Sequence, residues 1–414
     1  MSHDKGVSEK IQGQILTFAG KMSKGLKKTR RKFISQMIFG IQAMRDVKLS
    51  NVSRSLEEDI KLIKVEQRLS RQIGKEDFTK QINERVIAEG AKKIKADTVL
   101  ALDITDVQKP FAKKMDFLAK VWDGSEREVG QGYWIIEVIG ANVDEEELIP
   151  VYSELYSQRA KGFESENEQM FEAMRMTKQM IRNNGIWTID RGGDRKEVVE
   201  ELNKMELRYV IRARGDRKVE TKAGRWIELR EMGRRVRCDE RYKISIDKEG
   251  YREQKEIRLG VREEVEIEGI KMRLVVIKGF GRESMLLMTN VNKSAREILD
   301  IYLTRWKCEE SFRFLKQEYH LEDVRVRSYV RLRNTIALMH AVFYFVSVYL
   351  HRGLRVKILL EKILEKAKRF FEVPVFKHYA VADGIYRLLF NKRWQPEVSG
   401  ERAKDKKQLW FKFT

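Results

Sequence analysis

Two short apolar runs of this 414-residue chain each end in an aspartate. Residues 98–102 (Thr-Val-Leu-Ala-Leu) precede Asp103, and residues 186–189 (Ile-Trp-Thr-Ile) precede Asp190. Apolar runs of this length, bounded by polar residues, are typical of buried strands. The sequence therefore predicts two buried strands that each deliver a carboxylate to the edge of a sheet.

The order of the predicted elements around these strands restricts the fold further. In chain order they are strands at 98–102, 133–139 and 148–152, a helix at 167–183, a strand at 186–189, a helix at 195–204 and a strand at 209–211. Three strands, then helix, strand, helix, strand is the order of a ribonuclease-H-like core. The predicted class is an α/β multidomain protein with a mixed sheet at its centre.

Pattern changes divide the rest of the chain. Between 215 and 290, alternating strand-like segments separated by Gly and charged turns indicate an inserted antiparallel β subdomain. Helical periodicity dominates both ends of the sequence. The predicted domains are a helical DNA-binding region 1–95, a first core part 96–214, the β-rich insertion 215–290, a core helix region 291–330 and a helical C-terminal region 331–414.

The charge of the chain points to its partner. It carries 84 Lys and Arg against 63 Asp and Glu, a formal charge of +21. Such an imbalance exceeds what solubility needs and favours nucleic acid or an anionic membrane surface. The longest apolar run, 336–350, has 15 residues, short of the roughly 20 that span a bilayer, so it predicts a buried helix. Nucleic acid is the predicted partner, and the candidate DNA-binding run comprises Lys27, Lys28, Arg30, Arg31 and Lys32.

Cysteine usage and the N-terminal residues bear on location. Cys238 and Cys308 are the two cysteines, and they show no metal-ligand spacing or disulfide framework. The first ten residues lack the apolar stretch of a signal peptide. A reducing cytoplasm is the expected location, with no membrane partner.

A helix predicted at 301–316 supplies a third carboxylate. At about 100° per residue, four polar residues share one stripe, and they are Tyr302, Arg305, Glu309 and Lys316. The neighbouring Glu310 points about 100° away from Glu309. The helix phase therefore selects Glu309 over Glu310, although a solvated face with salt bridges is an open alternative for the stripe alone.

These residues resemble a known family. The spacing Tyr302-x2-Arg305-x3-Glu309-x6-Lys316 is similar to the signature of bacterial insertion-sequence transposases of family four. The motif Asp103-Ile-Thr105 resembles that family's first aspartate motif, and Asp190-Arg191-Gly-Gly-Asp194 its second. The resemblance covers about residues 95–330 and includes the β-rich insertion.

The resemblance implies a mechanism and its residues. Asp103, Asp190 and Glu309 would hold two Mg²⁺ ions, with Mn²⁺ as a plausible substitute. Water would cleave a strand at the element end, and the freed 3′-hydroxyl would attack the opposite strand or target DNA. The residues that would hold the phosphates are Tyr302, Arg305, Lys316, Arg212 and Arg191. For Arg212 an exposed strand-end charge is an equal alternative. The family also implies double-stranded DNA as substrate, a homodimer on paired ends, and a bacterial cytoplasm where the protein associates with the nucleoid.

One departure from the family concerns an aromatic residue. Some members place a tryptophan on the last insertion strand, where it stacks on a flipped base. Residues 284–289 contain no aromatic residue, and Met285 lies near the expected place. Trp226 or Phe280 could substitute, but a core or surface role is favoured for both. The hairpin-intermediate route of excision is therefore left open.

Two further aspartates resemble site residues without being predicted as metal ligands. Asp106 is expected beyond the first strand, and Asp194 is expected to cap the helix at 195–204.

Two other functions remain open from sequence. The first is a ribonuclease-H-like DNA nuclease without strand transfer. The second is an inactive DNA-binding regulator derived from a transposase.

Overall fold

The computed structural model of the chain describes residues 2–123, 128–221, 224–248, 251–352, 354–368 and 376–390. It divides into two compact units. We call Thr79–Lys316 the sheet unit, and Met1–Phe78 together with Gln317–Thr414 the helical unit. The part of the predicted C-terminal region that follows residue 390 lies outside the described residues.

Helices and strands are numbered here in chain order. The helices are α1 (Ser2–Met22), α2 (Lys28–Met44), α3 (Leu49–Ser55), α4 (Leu62–Ile73), α5 (Thr79–Gly90), α6 (Glu166–Ile181), α7 (Lys196–Lys204), α8 (Leu229–Arg235), α9 (Ala295–Thr304), α10 (Trp306–Glu318), α11 (Tyr329–Ser347), α12 (Leu354–Lys366) and α13 (His378–Leu389). The strands are β1 (Val99–Gln108), β2 (Ala119–Asp123), β3 (Glu128–Ala141), β4 (Leu148–Tyr156), β5 (Ile186–Ile189), β6 (Tyr209–Arg212), β7 (Lys218–Glu220), β8 (Trp226–Glu228), β9 (Glu240–Lys248), β10 (Tyr251–Ile267), β11 (Ile270–Lys278) and β12 (Met285–Thr289).

A mixed sheet of ten strands forms the centre of the sheet unit. Its order is β2-β3-β1-β5-β6-β12-β11-β10-β9, with β4 also paired to β3. Strands β1, β5 and β6 run parallel, while β3 runs antiparallel to β1. The path β4-β3-β1-β5-β6 is that of a ribonuclease-H-like core, so the predicted fold class is confirmed.

The β-rich insertion joins the core sheet instead of standing apart from it. Strand β12 pairs antiparallel with β6, from Leu287 opposite Arg212 to Thr289 opposite Val210. Strands β11, β10 and β9 then continue the same sheet. The predicted antiparallel insertion is thus present, and it pairs with the core along the edge of β6. Only β7 and β8 form a small separate sheet among the described strands.

Helix α9 covers the sheet between the core and the insertion. It begins with a capping box, in which Ser294 Oγ accepts from Glu297 N at 3.3 Å and Glu297 accepts from Ser294 N at 2.9 Å. Its apolar face joins a buried cluster on the sheet that includes Val99, Ile186, Val210, Val275, Ile298, Leu299 and Tyr302. Burial of this face orients the chain that runs on into α10.

Helix α5 belongs to the sheet unit, although the sequence predicts one helical region up to residue 95. Asn83 donates to Ser153 O at 2.9 Å and accepts from Ser153 N at 3.2 Å, which attaches α5 to β4. A buried amide that satisfies both backbone groups in this way is costly to remove. The boundary between the units therefore lies near Phe78.

The helical unit is assembled from both ends of the sequence. Gln42 of α2 donates to Val342 O of α11 at 3.3 Å. Ser8 of α1 donates to Leu388 O of α13 at 2.8 Å. The helical regions that the sequence separates at its two ends thus form one unit.

Helix α11 is the core of the helical unit. The segment Tyr329–His351 is long and apolar enough to cross a membrane, yet 94 % of its most apolar window is buried inside the structure. Burial of this extent is the placement of a core helix, which agrees with the prediction for residues 336–350. Among the described residues, this is the one segment that meets the length and composition of a membrane span.

A buried histidine makes the stability of the helical unit depend on pH. His378 is 4 % exposed and lies against the rings of Phe343 and Phe376. Burial, together with the nearby His351, lowers the pKa of His378 to about 3. Its unfolded pKa of about 6.5 is higher, so the unfolded chain takes up the proton first as pH falls. The stabilisation is complete above pH 6.5 and is lost as pH falls towards 3.

We therefore expect the free energy of unfolding of wild type, relative to that of His378→Phe, to fall by about 1.4 kcal/mol per pH unit between pH 6 and pH 4. This difference isolates His378, because every other titrating group is the same in the two proteins. Urea unfolding at pH 7.5, 6, 5 and 4 measures it. His320→Asn is the control at an exposed histidine, and an equal slope in wild type and His378→Phe would contradict the assignment.

Candidate active site

Asp103 lies inside a strand, not at the end of one. Strand β1 continues to Gln108, so Asp106 is also within it, contrary to the expectation that Asp106 follows the strand. Asp103 accepts from its neighbour Ile104 N at 3.0 Å. Burial raises the pKa of Asp103 to about 6, Arg305 opposes this, and the charges of Asp190 and Glu309 add to it.

Asp190 follows β5 directly, as the sequence predicts. Strands β1 and β5 pair parallel as far as Ala101 opposite Thr188. Continuing the same register by two residues along each chain brings Asp103 level with Asp190. Asp190 accepts from Gly192 N at 2.8 Å and thereby caps the short 3₁₀ turn Arg191–Gly193. The register of the sheet therefore brings together two carboxylates that are 87 positions apart in the numbering (190 − 103).

Glu309 lies on the first turn of α10 and is 53 % exposed at its side chain. The helix predicted at 301–316 is interrupted, because α9 ends at Thr304 and α10 begins at Trp306. Arg305 lies at the junction, and it still shares one side with Glu309 because its guanidinium donates to the Glu309 carboxylate. Glu310 instead pairs with Arg313 at 2.5 Å. The choice of Glu309 over Glu310 is thus consistent with the local geometry.

Arg305 joins two of the three carboxylates. Its guanidinium donates to Asp103 at 2.9 Å and to Glu309 at 2.8 Å. The Arg305 side chain is only 7 % exposed, so this bridge is screened little by solvent. The cation offsets the repulsion between carboxylates that the fold gathers in one place.

The three carboxylates suit a hard divalent cation, and Arg305 serves as a stand-in cation for Asp103 and Glu309. Oxygen ligands from Asp and Glu are the donors that Mg²⁺ binds. Among the described residues, no group of three or more His, Cys, Asp or Glu is close enough to hold a metal ion as the side chains lie. The donor set therefore fits a metal in kind, and a metal bound there would compete with Arg305 for Asp103 and Glu309.

Glu137 is a site residue that the sequence interpretation missed. It lies on β3 directly opposite Asp103 and is fully buried. Ser311, two residues after Glu309, donates to Glu137 at 3.1 Å. Burial raises the pKa of Glu137 to about 8. A single carboxyl within the apolar run 133–139 was the signal available in the sequence, since buried acids are rare unless they serve a site.

The residues predicted to hold phosphates differ in how far their side chains are exposed. Arg191 is exposed beside Asp190, whereas Arg212 is half-buried at the end of β6. Lys316 is half-buried and lies 3.9 Å from Asp106. Tyr302 is 1 % exposed and belongs to the buried cluster under α9, so it differs from the expectation of a phosphate contact.

The basic run of the helical unit also divides. Lys27, Lys28, Arg31 and Lys32 are exposed at the start of α2, and they stay predicted DNA contacts. Arg30 is the exception, because it is 5 % exposed and pairs with Glu76 at 2.6 Å. Its guanidinium also lies over the rings of Phe33 and Phe78. A cation held in this way stabilises the helical unit instead of meeting a phosphate.

Asp194 has a different structural role from the one expected. The residue before α7 is Arg195, which provides no side-chain cap. Asp194 is fully buried at its side chain, accepts from Arg214 N at 2.5 Å and forms an ion pair with Arg217. It therefore fixes the chain that leaves β6 towards the insertion.

The aromatic candidates lie in different surroundings. Trp226 is 63 % exposed on β8. The ring of Phe280 lies 6.0 Å from that of Trp306, at the start of α10. Met285 is buried on β12.

Comparison with known proteins places the region that contains this site in a family. A family described as the transposase DDE domain matches residues 95–345, more than half of the 414-residue chain. A solved structure of a piggyBac transposase, a synaptic complex with hairpin DNA, aligns with 96 % of this chain and 81 % of that chain, with a TM-score of 0.46 and 11 % identity. None of the curated proteins matches the chain.

The Arg305 bridge generates a prediction about metal binding that needs no DNA. Arg305→Ala should lower the thermal midpoint in EDTA by about 3–6 °C, since about 1.5 kcal/mol of charge-assisted hydrogen bonding is lost. Added Mg²⁺ should then raise the midpoint more in Arg305→Ala than in wild type, because the carboxylates no longer have a competing cation. Differential scanning calorimetry with and without Mg²⁺ measures both effects.

Arg313→Ala is the matched control, because Arg313 is on the same helix and pairs with the other glutamate, Glu310. It should change neither the midpoint in EDTA nor the Mg²⁺ response by more than about 1 °C, as expected for an exposed pair. Equal Mg²⁺ responses of wild type and Arg305→Ala would contradict competition between the guanidinium and the metal.

Proposed function

Since this chain belongs to the DDE transposase family, we propose that it cuts the ends of an insertion sequence and joins their 3′-hydroxyl ends to target DNA. The spacing of Tyr302, Arg305, Glu309 and Lys316 supports membership of insertion-sequence family four, and with it a bacterial origin. The proposed route is cut-and-paste transposition, for which two metal ions and a pair of element ends are required.

One observation carries the proposal. The parallel register of β1 and β5 brings Asp103 level with Asp190, and Arg305 ties Asp103 to Glu309 at 2.9 and 2.8 Å. Two carboxylates from separate elements thus share one cation, and the register of the sheet brings a third carboxylate level with the first; gathering acids in this way is costly and is typical of functional sites.

The carboxylates define what the chain can do with a phosphodiester. Two divalent ions of the Mg²⁺ type, when bound by such carboxylates, stabilise both the attacking and the leaving oxygen of an in-line displacement. Asp103 and Asp190 would hold the ions from the rigid sheet. Glu309 lies on a helix and is half exposed. Once released from Arg305, it would provide the third carboxylate ligand of the ions.

The cations around the carboxylates are proposed to hold the DNA. Arg305, freed from its carboxylates, would be available to a phosphate next to the bond that is cut. Lys316 lies two turns after Glu309 on α10, and Arg191 follows Asp190 directly. Cationic side chains that grip the cut end keep its 3′-hydroxyl in place for the joining step.

The formal charge of +21 supports double-stranded DNA as the partner. A homodimer that pairs two ends, and a location in the bacterial cytoplasm at the nucleoid, belong to the same proposal.

The first test removes each metal ligand in turn. Asp103→Ala, Asp190→Ala and Glu309→Ala should each abolish Mg²⁺-dependent cleavage of DNA that carries the element ends, while end binding changes less than about threefold, because phosphate-binding cations supply the affinity. Gel-resolved cleavage and a mobility-shift titration measure the two properties. Glu310→Ala is the control, and loss of cleavage in Glu310→Ala but not in Glu309→Ala would contradict the assignment of the ligand.

The second test separates a transposase from a plain nuclease. Purified protein with Mg²⁺ and pre-cleaved ends should join them to a target plasmid, and Arg191→Ala and Lys316→Ala should lower joining more than nicking. The reason is that joining requires the cut end to stay bound, whereas nicking does not. Joined products and nicked circles are counted on the same gel, and strong nicking with no joined product would favour the nuclease.

A further inference from the structure

An exposed aromatic surface lies on the ribbon formed by β2 and β3. Trp122 pairs with Val129 across the ribbon, and Lys120 pairs with Gln131 on the same face. Trp122 is 52 % exposed and Val129 is 61 % exposed. The opposite face is buried through Val121, so alternation along β2 directs the tryptophan and the lysine outward.

The loop between β1 and β2 adds a second exposed ring. Phe111 is 93 % exposed, the highest value among the large apolar side chains described. The loop is tied to β3, because Lys109 N donates to Gln131 O at 2.7 Å and Tyr133 donates to Asp116 O at 2.7 Å. A groove of about 550 Å³ lies between loop and ribbon and is lined by Ala112, Lys113, Met115, Phe117, Leu118, Gln131 and Arg159. We call Phe111, Lys113, Lys120 and Trp122 the ribbon surface.

The charge of the ribbon surface selects its partner. Lys113, Lys114 and Lys120 are exposed, and none of them forms an ion pair with a residue in the described part of the chain. Among the side chains that the structure describes there, these lysines and Arg159 outnumber the two exposed carboxylates, Asp116 and Glu128. Unpaired cations beside flat rings suit a polyanion that presents flat faces, which is nucleic acid. A second copy of the same surface would set lysine against lysine.

The position of the ribbon surface relates it to the active site. On β3, Glu137 is opposite Asp103 and Val129 is opposite Trp122. These two positions are eight residues apart (137 − 129), or about 27 Å at the usual rise of a strand. A length of about 27 Å corresponds to about eight base pairs of DNA. DNA cut at Asp103 thus extends to the ribbon surface about eight base pairs away.

We propose that the ribbon surface binds unpaired nucleotides of the DNA substrate about eight base pairs from the scissile phosphate. The rings of Phe111 and Trp122 stack on bases, and Lys113 and Lys120 contact phosphates. Stacking on a side-chain ring requires a base whose face is free, which a paired duplex does not offer without unstacking. The proposal depends on the proposed function only for the position of the scissile phosphate at Asp103.

The first experiment measures binding alone. Fluorescence anisotropy at fixed salt compares a duplex that contains six unpaired thymines on each strand with the same duplex fully paired. Trp122→Ala should weaken binding of the bubble duplex about tenfold, equivalent to about 1.4 kcal/mol, and binding of the paired duplex less than twofold. Trp122→Phe should retain most of the affinity, because it keeps a ring. Lys120→Gln should reduce the log–log salt slope for the bubble by about 0.7.

Trp226→Ala is the matched control, since Trp226 is also a tryptophan of the sheet unit and is 63 % exposed. It should bind both duplexes as wild type does. Unchanged thermal midpoints of all variants show that they fold. Wild-type affinity of Trp122→Ala for the bubble would overturn the proposal, as would equal losses in Trp122→Ala and Trp226→Ala. If wild type sediments as a dimer and Trp122→Ala as a monomer, the surface binds a second copy of the chain. That result would also overturn the proposal.

The joining assay keeps this inference separate from the proposed function. If wild type joins the ends and Trp122→Ala binds the bubble duplex normally, the proposal for the ribbon surface is rejected and the proposed function is kept. Bubble binding that depends on Trp122, in a protein that nicks but never joins, would support the ribbon surface and reject the transposase.

Discussion

The ion bridge from Arg305 to Asp103 and Glu309 is the contact on which the active-site region depends. It joins β1 to α10 across 202 residues of sequence. Without a cation, carboxylates from β1, β5 and α10 would repel one another in a partly buried space. The guanidinium offsets that repulsion and positions the start of α10.

The sheet makes this bridge possible through its connections. The chain leaves β6, passes through the insertion and returns by β12, which pairs with β6. Because β12 lies next to the core strands, α9 starts beside the sheet and buries its apolar face there. The insertion therefore extends the sheet and also delivers Glu309 to the two aspartates. Asp194 holds the departing chain in place through Arg217.

A buried carboxyl group lies beside the three carboxylates of the site. Glu137 is fully buried opposite Asp103 and is contacted by Ser311 of α10. Because burial raises its pKa to about 8, Glu137 is mostly neutral at pH 7 and adds little to the negative charge above it. A neutral acid of this kind can link strand and helix without increasing the repulsion among the three carboxylates.

The sequence alone determined the features that depend on local pattern. Apolar runs located β1 and β5, the run before Asp190 placed that residue at a strand end, and helical spacing put Arg305 and Glu309 on one side. These predictions succeed because alternation and helical period involve only a few neighbouring residues.

Only the tertiary structure decided the features that depend on distant partners. The extension of β1 through Asp106 requires pairing with β3, and the union of both helical ends requires the contacts of α11 with α2. The burial of Arg30 requires Glu76, and that of Glu137 requires a strand and a helix on either side. In each case the free energy comes from a contact between residues far apart in sequence, and a local pattern carries no information about which distant residue will provide it.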